Sequence, residues 1–262
     1  MTRTTASYIS RHKRFWEIDL VRTVALLGLL TFHTREVLYY FDLVHNPLRT
    51  GIWFWIRVVN CGLFIFPAGV ALTISHSRRK GTASVMLRGL QLFGLGMAIT
   101  LLSWLVVPDE YVRFGILHFF GIAFILAPLF LRFRYINLIL GTAVTAIGIY
   151  LIEQGIFVNS PWLLWLVPYA FRTGTLDYWP LVPFFGLFLV GMFFGKILYP
   201  QGNRGFNISE ISNPVASAVM LLGRHPLLVY LAHLPIIFGV LLALFPDKIL
   251  PQIREVFSYL PF

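Results

Sequence analysis

The chain has 262 residues, 58% of them hydrophobic and 12% charged, with a mean hydropathy of +0.77 and a formal net charge of +10. A soluble domain carries about 25% charged residues, so the composition excludes that class and describes a polytopic membrane protein. In so apolar a chain the basic excess is no nucleic-acid signal, and the single cysteine, Cys61, excludes an intrachain disulfide.

A bilayer core takes about 20 mostly apolar residues per helix. Seven segments satisfy that: 16–35, 52–74, 85–107, 113–131, 135–153, 180–199 and 226–246. The expected fold is therefore all-α, a membrane bundle of about seven transmembrane helices forming one domain over 1–262. The basic N-terminus precedes an apolar run too long and too interrupted by charge for a cleaved signal, so the first helix is expected to be retained.

That first segment organises the rest. It carries Asp19, Arg22 and His33, and the short loop after it carries His45. Ionisable groups inside a membrane helix face a bundle interior or a watery cavity and mark a functional site. Asp19 and Arg22 are three apart and can touch. Arg22 and His33 fall within about 20° of each other around the helix and about 16 Å apart along it. One polar stripe thus runs down the helix.

The second segment ends in Ser77-Arg78-Arg79-Lys80-Gly81, and the third turns into the fourth at Val107-Pro108-Asp109-Glu110. Arg132-Phe133-Arg134 separates the fourth from the fifth. Residues 154–179 form the one long interruption; Pro161 to Pro168, rich in tryptophan, reads as an interfacial or re-entrant lid. Gly191 and Gly195, four apart, fit close helix packing. The stretch 247–262 reads as a short amphipathic tail.

With the N-terminus in the cytoplasm, thirteen of the 21 Lys and Arg residues fall on the inner side and seven on the outer, Arg22 being intramembrane. The bias is met by positive-inside topology and anionic lipid contact. It also suits a polyanionic cytosolic cofactor such as an acyl-coenzyme A, with Arg78, Arg79, Lys80 and Arg88 as candidate phosphate ligands.

Of the seven histidines, His33, His45, His118 and His233 stand out, the other three lying in basic stretches or at a helix start. A lone membrane histidine is often a hydrogen-bonded core residue. Several, accompanied by Asp19, Arg22, Arg113 and Asp177, point to proton transfer or to nucleophilic acyl transfer. No His-x-x-His or Glu-x-x-His spacing occurs, so no metal is expected.

The chain resembles the catalytic-domain family of heparan-alpha-glucosaminide N-acetyltransferase, in a shorter prokaryotic branch of the transmembrane acyltransferases. The resemblance rests on Arg14-Phe15-Trp16-Glu17-Ile18-Asp19-Leu20-Val21-Arg22, Phe32-His33, Phe64 to Gly69, Val112 to Gly121, Leu176-Asp177-Tyr178-Trp179-Pro180 and Leu222 to His233. It implies acetyl transfer from cytosolic acetyl-CoA to an amino-sugar, glycan or lipid-headgroup acceptor across a cell membrane. In the animal lysosomal enzyme the active histidine lies in the loop after the first helix, which implies His45. An Arg followed eleven residues later by His is also similar to the membrane O-acyltransferases, which implies His33. Asp19 and Arg22 would support catalysis, Arg113, His118, Asp177 and His233 would bind substrate, and Arg78, Arg79 and Arg88 the donor. Thr23 stands where the family has glycine, and about seven spans are fewer than in the lysosomal enzyme. A transporter or flippase built around the same intramembrane charge is the competing class, and acceptor identity and homo-oligomerisation stay open.

Overall fold

The computed structural model describes residues 14–45, 51–79, 81–171, 174–211 and 213–251, without the side chains of 51, 54, 55, 57 and 79. Within them run α1 (Trp16–Tyr40), α2 (Gly51–Arg79), α3 (Ala83–Val106), α4 (Ile116–Phe130), α5 (Tyr135–Glu153), α6 (Leu181–Leu198), α7 (Pro214–Arg224) and α8 (Pro226–Leu244). Among the described residues there is no strand, only the isolated bridges Phe114–Tyr178 and Val158–Tyr169. α2 over Val58–Arg78, α3, α5, α6 and α8 are long and apolar enough to cross a membrane. α1 is longer than expected and carries Glu17, Asp19, Arg22, Arg35 and Glu36; α4 has only 15 residues. The tail expected over 247–262 lies, beyond residue 251, outside the described residues.

α6 is the central helix. Phe185, Phe188, Leu189 and Met192 are buried between α2, α4 and α5. Its approach to α2 is possible only because two glycines face each other. A Cβ on Gly69 would run into the Phe188 carbonyl, and one on Gly191 into the Phe66 carbonyl. Gly195 likewise meets the Thr73 hydroxyl, so the small-residue spacing expected from the sequence is a helix contact. Outward, Leu87, Leu101, Ile139, Ile147, Leu228 and Ile236 are exposed, an apolar surface that suits lipid.

α3 packs on α4, whereas α1 packs on α2, α7 and α8. α8 runs parallel to α1: His33 meets His233 at 5.0 Å between ring centroids, and Phe41 meets Phe238 at 5.8 Å. Between the expected spans 180–199 and 226–246 no further helix was expected. The structure has α7 there, with Pro214 in its first turn and Asn213 accepting the Val215 amide at 2.8 Å. α7 lies so close to α1 that the Gly223 amide donates to the Thr23 hydroxyl at 3.0 Å, and that hydroxyl donates to the Asp19 carbonyl at 2.9 Å.

The two ends of the bundle are stitched differently. At one, Arg204 grips Glu17 (2.6 Å) and Glu210 (2.8 Å), and Lys196 donates to the carbonyls of Leu131 and Phe133. At the other, residues 154–180 fold over the N-terminus of α6. Leu181 and Val182 donate to Trp165 and Leu166, and the Tyr178 hydroxyl sits between the carbonyls of Leu164 and Val167. Trp162, 86% exposed, forms the tip of this segment, a placement that fits an interfacial lid.

Gly191→Val should separate α2 from α6 and cost about 1–3 kcal/mol through overpacking. Thermal unfolding of the detergent-solubilised protein should show a clear drop in midpoint. Gly94→Ala, where nothing lies within 4 Å, should leave it unchanged.

Candidate active site

Two polar clusters lie along α1. The first is at its C-terminal end, where α1, α8, the start of α4 and the 154–180 segment meet. The His33 Nδ1 lies 2.9 Å from Glu36 Oε2, one turn further on. An ionised carboxylate can only accept, so Nδ1–H donates and the neutral ring keeps its Nε2 lone pair free. The His233 ring lies beside it. Its Nδ1 donates to the Tyr230 carbonyl, and its Nε2 is buried with no hydrogen-bond partner among the described residues. Asp177 and Tyr230 lie within electrostatic reach of each other, and His33 and Glu36 within reach of Asp177. The structure therefore brings His33, His233 and Asp177 together, from three separate stretches of the chain.

Asp177 fixes the loop to α4. Its Oδ2 accepts the Ile116 amide at 2.8 Å at the first turn of the helix, where a carboxylate also meets the positive end of the helix dipole. Its Oδ1 accepts the Trp179 indole N–H. Burial nevertheless raises its carboxyl to about 6, against the downward pull of these two donors and of His33, with Glu36 adding to the rise.

His118 and Arg113, both expected at the substrate cavity, are held by contacts with the fold around them. His118 is 2% exposed. Its Nδ1 accepts the Gly115 amide at 3.1 Å, and its Nε2–H is 3.3 Å from Thr100 Oγ1, whose own proton goes to the Val112 carbonyl. Both ring nitrogens are used, so none is left for a substrate. Arg113 donates to the carbonyls of Gly174 (3.2 Å) and Asp109 (3.2 Å) and stacks over Tyr111 and Phe171. It ties the 109–113 turn to Phe171 and Gly174.

His45 is well exposed and paired to Asp42 at 3.3 Å. It lines an open cavity of about 590 Å³ together with Glu36, Tyr39, Tyr40, Asp42, Glu110 and Thr175. Glu36 is the link between the two histidine candidates: it lines this cavity and holds His33.

The second cluster lies on the N-terminal third of α1, about 21 Å from His33 along the axis. Asp19 is buried, and its ion-pair partner is Arg224 at 3.8 Å, not Arg22 as the helical spacing suggested. Arg22 is partly buried and makes no hydrogen bond or ion pair among the described residues. Of the expected donor ligands, Arg78 donates to the Gly202 carbonyl at 2.9 Å and stacks on Phe15 at 4.6 Å, which places it in the scaffold of that end. The Arg79 side chain lies outside the described residues. Arg88 is exposed on α3, within electrostatic reach of Arg22. Among the described residues no group of three or more His, Cys, Asp and Glu side chains could hold a metal ion.

Sequence reasoning passed over Glu36, Tyr230, Trp179 and Arg224. A signal existed for one of them: a glutamate three residues after a membrane histidine shares its helix face. The other three come to their clusters only through tertiary packing.

A carboxyl whose folded-state pKa lies above its unfolded value favours the fold in its protonated form. For Asp177 that contribution is complete below the ordinary carboxylate range and is lost as pH rises through about 6. Asp177→Asn removes the titration. The unfolding temperature of wild type should therefore fall relative to this variant between pH ~4 and pH ~6. A constant difference across that window would assign the pH dependence to another group.

Residues 14–235 match the family of the catalytic region of heparan-alpha-glucosaminide N-acetyltransferase. No curated protein and no solved structure is significantly similar to the chain. The match spans α1 to the His233 turn of α8 and so takes in both polar clusters and every helix that frames them. The chain belongs to the heparan-alpha-glucosaminide N-acetyltransferase catalytic family, a family of membrane acetyltransferases.

Proposed function

We propose that this protein moves an acetyl or longer acyl group from acyl-CoA on the cytoplasmic side of the cell membrane to an amino-sugar, glycan or lipid-headgroup acceptor on the far side. The N-terminus is cytoplasmic and the chain crosses the membrane about seven times, so the α1 cluster at Asp19 faces the donor side and the His33 cluster the acceptor side. The observation that carries the reading is the His33–Glu36 pair at 2.9 Å beside the Nε2 of His233, which has no partner among the described residues.

In this reading His33 Nε2 takes the proton from the acceptor amine or hydroxyl as its heteroatom attacks the thioester carbonyl. The new C–N or C–O bond forms and the C–S bond breaks. The CoA thiolate leaves, and the proton held on His33 returns to it or to water. The imidazolium formed midway is met by the Glu36 carboxylate, a charge-assisted hydrogen bond about twice as strong as a neutral one. His233, with its Nδ1–H fixed on a backbone carbonyl, offers a second buried acceptor for the substrate proton or hydroxyl. His45 stands at the rim of the open cavity, where the acceptor enters and leaves. Asp177 and Arg113 hold the loop that closes this end.

The test is acyl-CoA consumption by purified protein against a panel of amines, amino sugars and lipid headgroups. His33→Ala should lower turnover by about 10²–10⁴-fold, the usual contribution of a general base. Glu36→Gln should lower it by about 10–100-fold, as expected for loss of a hydrogen bond to a charged group. His45→Ala should raise KM more than it lowers kcat. Full activity in His33→Ala would remove that residue from the mechanism. Vectorial solute uptake in proteoliposomes without acyl-CoA consumption would replace the enzyme reading by transport.

A further inference from the structure

The arginines around Asp19 have more positive charge than the fold uses. Arg22 is partly buried, yet none of its five N–H donors meets a hydrogen-bond partner among the described residues. Arg224 Nε is buried without a hydrogen bond, 3.8 Å from Asp19. Arg14, at the entrance to α1, and Arg88, on α3, are both within electrostatic reach of Arg22. Three guanidinium groups, of Arg14, Arg22 and Arg224, thus act on the one Asp19 carboxylate, and Arg88 adds a fourth positive charge beside Arg22. The other acid nearby, Glu17, is bound by Arg204 through two hydrogen bonds and by the Tyr199 hydroxyl. A half-buried guanidinium without acceptors is costly unless an anion supplies them. Helix packing does not close this place: α1 packs on α2, α7 and α8, α3 packs on α4, and α1 and α3 make no extended contact among the described residues.

We propose that Arg14, Arg22, Arg88 and Arg224 form a phosphate-binding site at the donor end of the gap between α1 and α3. Its ligand is a phosphate-bearing anion: the nucleotide part of the acyl donor or the headgroup of an anionic lipid. The inference rests on the acyltransfer reading for the first source only. Planar guanidinium forks pair with phosphate oxygens in bidentate fashion, and Asp19 holds Arg224 in place while the site is empty. This moves the donor phosphates away from Arg78, whose guanidinium is built into the Gly202 turn.

The experiment uses the full-length protein in nanodiscs of neutral phosphatidylcholine, with and without phosphatidylglycerol. The probes are acetyl-CoA and adenosine 3′,5′-diphosphate, followed by calorimetry, with retained lipid read by native mass spectrometry. The variants are Arg22→Gln, Arg88→Gln and Arg224→Gln, with Arg132→Gln as a charge-matched control at the same end. Arg22→Lys keeps the charge and guards against misfolding. If the nucleotide is the ligand, each Gln variant in the site weakens both soluble probes by about tenfold or more, the control leaves them unchanged, and Arg22→Lys, which keeps the charge but loses the fork, weakens them less than Arg22→Gln. If the lipid is the ligand, acetyl-CoA binds wild type and variants alike, while the variants lose bound phosphatidylglycerol. Variants that keep both ligands overturn the site, and the acyltransfer reading stands as long as wild type binds acetyl-CoA. A wild type that binds no acyl-CoA of any chain length sinks the acyltransfer reading, and the lipid arm then decides the site alone.

Discussion

A charged side chain on a membrane helix has to be met from elsewhere in the protein, because lipid offers it nothing. α1 carries five such side chains, together with His33, and the rest of the bundle is placed to meet them. Glu17 is closed by Arg204 from the 199–213 stretch, Asp19 by Arg224 at the end of α7, and Glu36 by His33 on its own helix. α7 can do this only because Gly223 lets its backbone touch α1 at Thr23. Arg22 is the exception: among the described residues it meets no hydrogen-bond or ion-pair partner, which is the observation the proposed phosphate site rests on.

The far end follows a different logic. Its fixed points are hydrogen bonds between loops and helix starts: Asp177 on the first turn of α4, His118 on Gly115, Arg113 on Gly174. These bonds leave His33 and His233 as the polar groups with unspent capacity, one with a free Nε2 by tautomer and the other by burial. Rigid surroundings with unspent capacity at one place are what catalysis by fixed groups requires. The lid is therefore a frame more than a flap, since Leu176 and Trp179 are bonded to the backbone of Glu110 and Phe114.

Much of this was legible in the sequence. Apolar runs separated by Gly, Pro and charge mark the long helices, and five of the seven expected spans recur as helices able to cross a membrane. The polar stripe of Asp19, Arg22 and His33 follows from helical spacing alone, as does the GxxxG contact of α6. Partnership was not legible. Asp19 pairs with a residue 205 positions away because α7 packs on α1, and α7 itself, 11 residues long, is too short to stand out as a span. His118 shows the converse. Its residue type suggested chemistry, but the turn before α4 needs an acceptor for the Gly115 amide, and an imidazole supplies it.

The two neighbouring histidines are not equivalent, and the difference has a direction. His33 gives its Nδ1 proton to a carboxylate, whereas His233 gives its own to a peptide carbonyl. A carboxylate stabilises an imidazolium where a neutral carbonyl does far less. His33 also borders the side of the cluster where Glu36 opens to the cavity. His233, 4% exposed, has its Nε2 buried with no partner among the described residues. The pair can then hold an acceptor N–H or O–H on one ring while the other removes the proton, and the charge produced leaves toward water and not into the bundle. In the proposed mechanism a single histidine on α1 would provide the base without that orientation, so the parallel alignment of α8 along α1 would have a chemical consequence beyond packing.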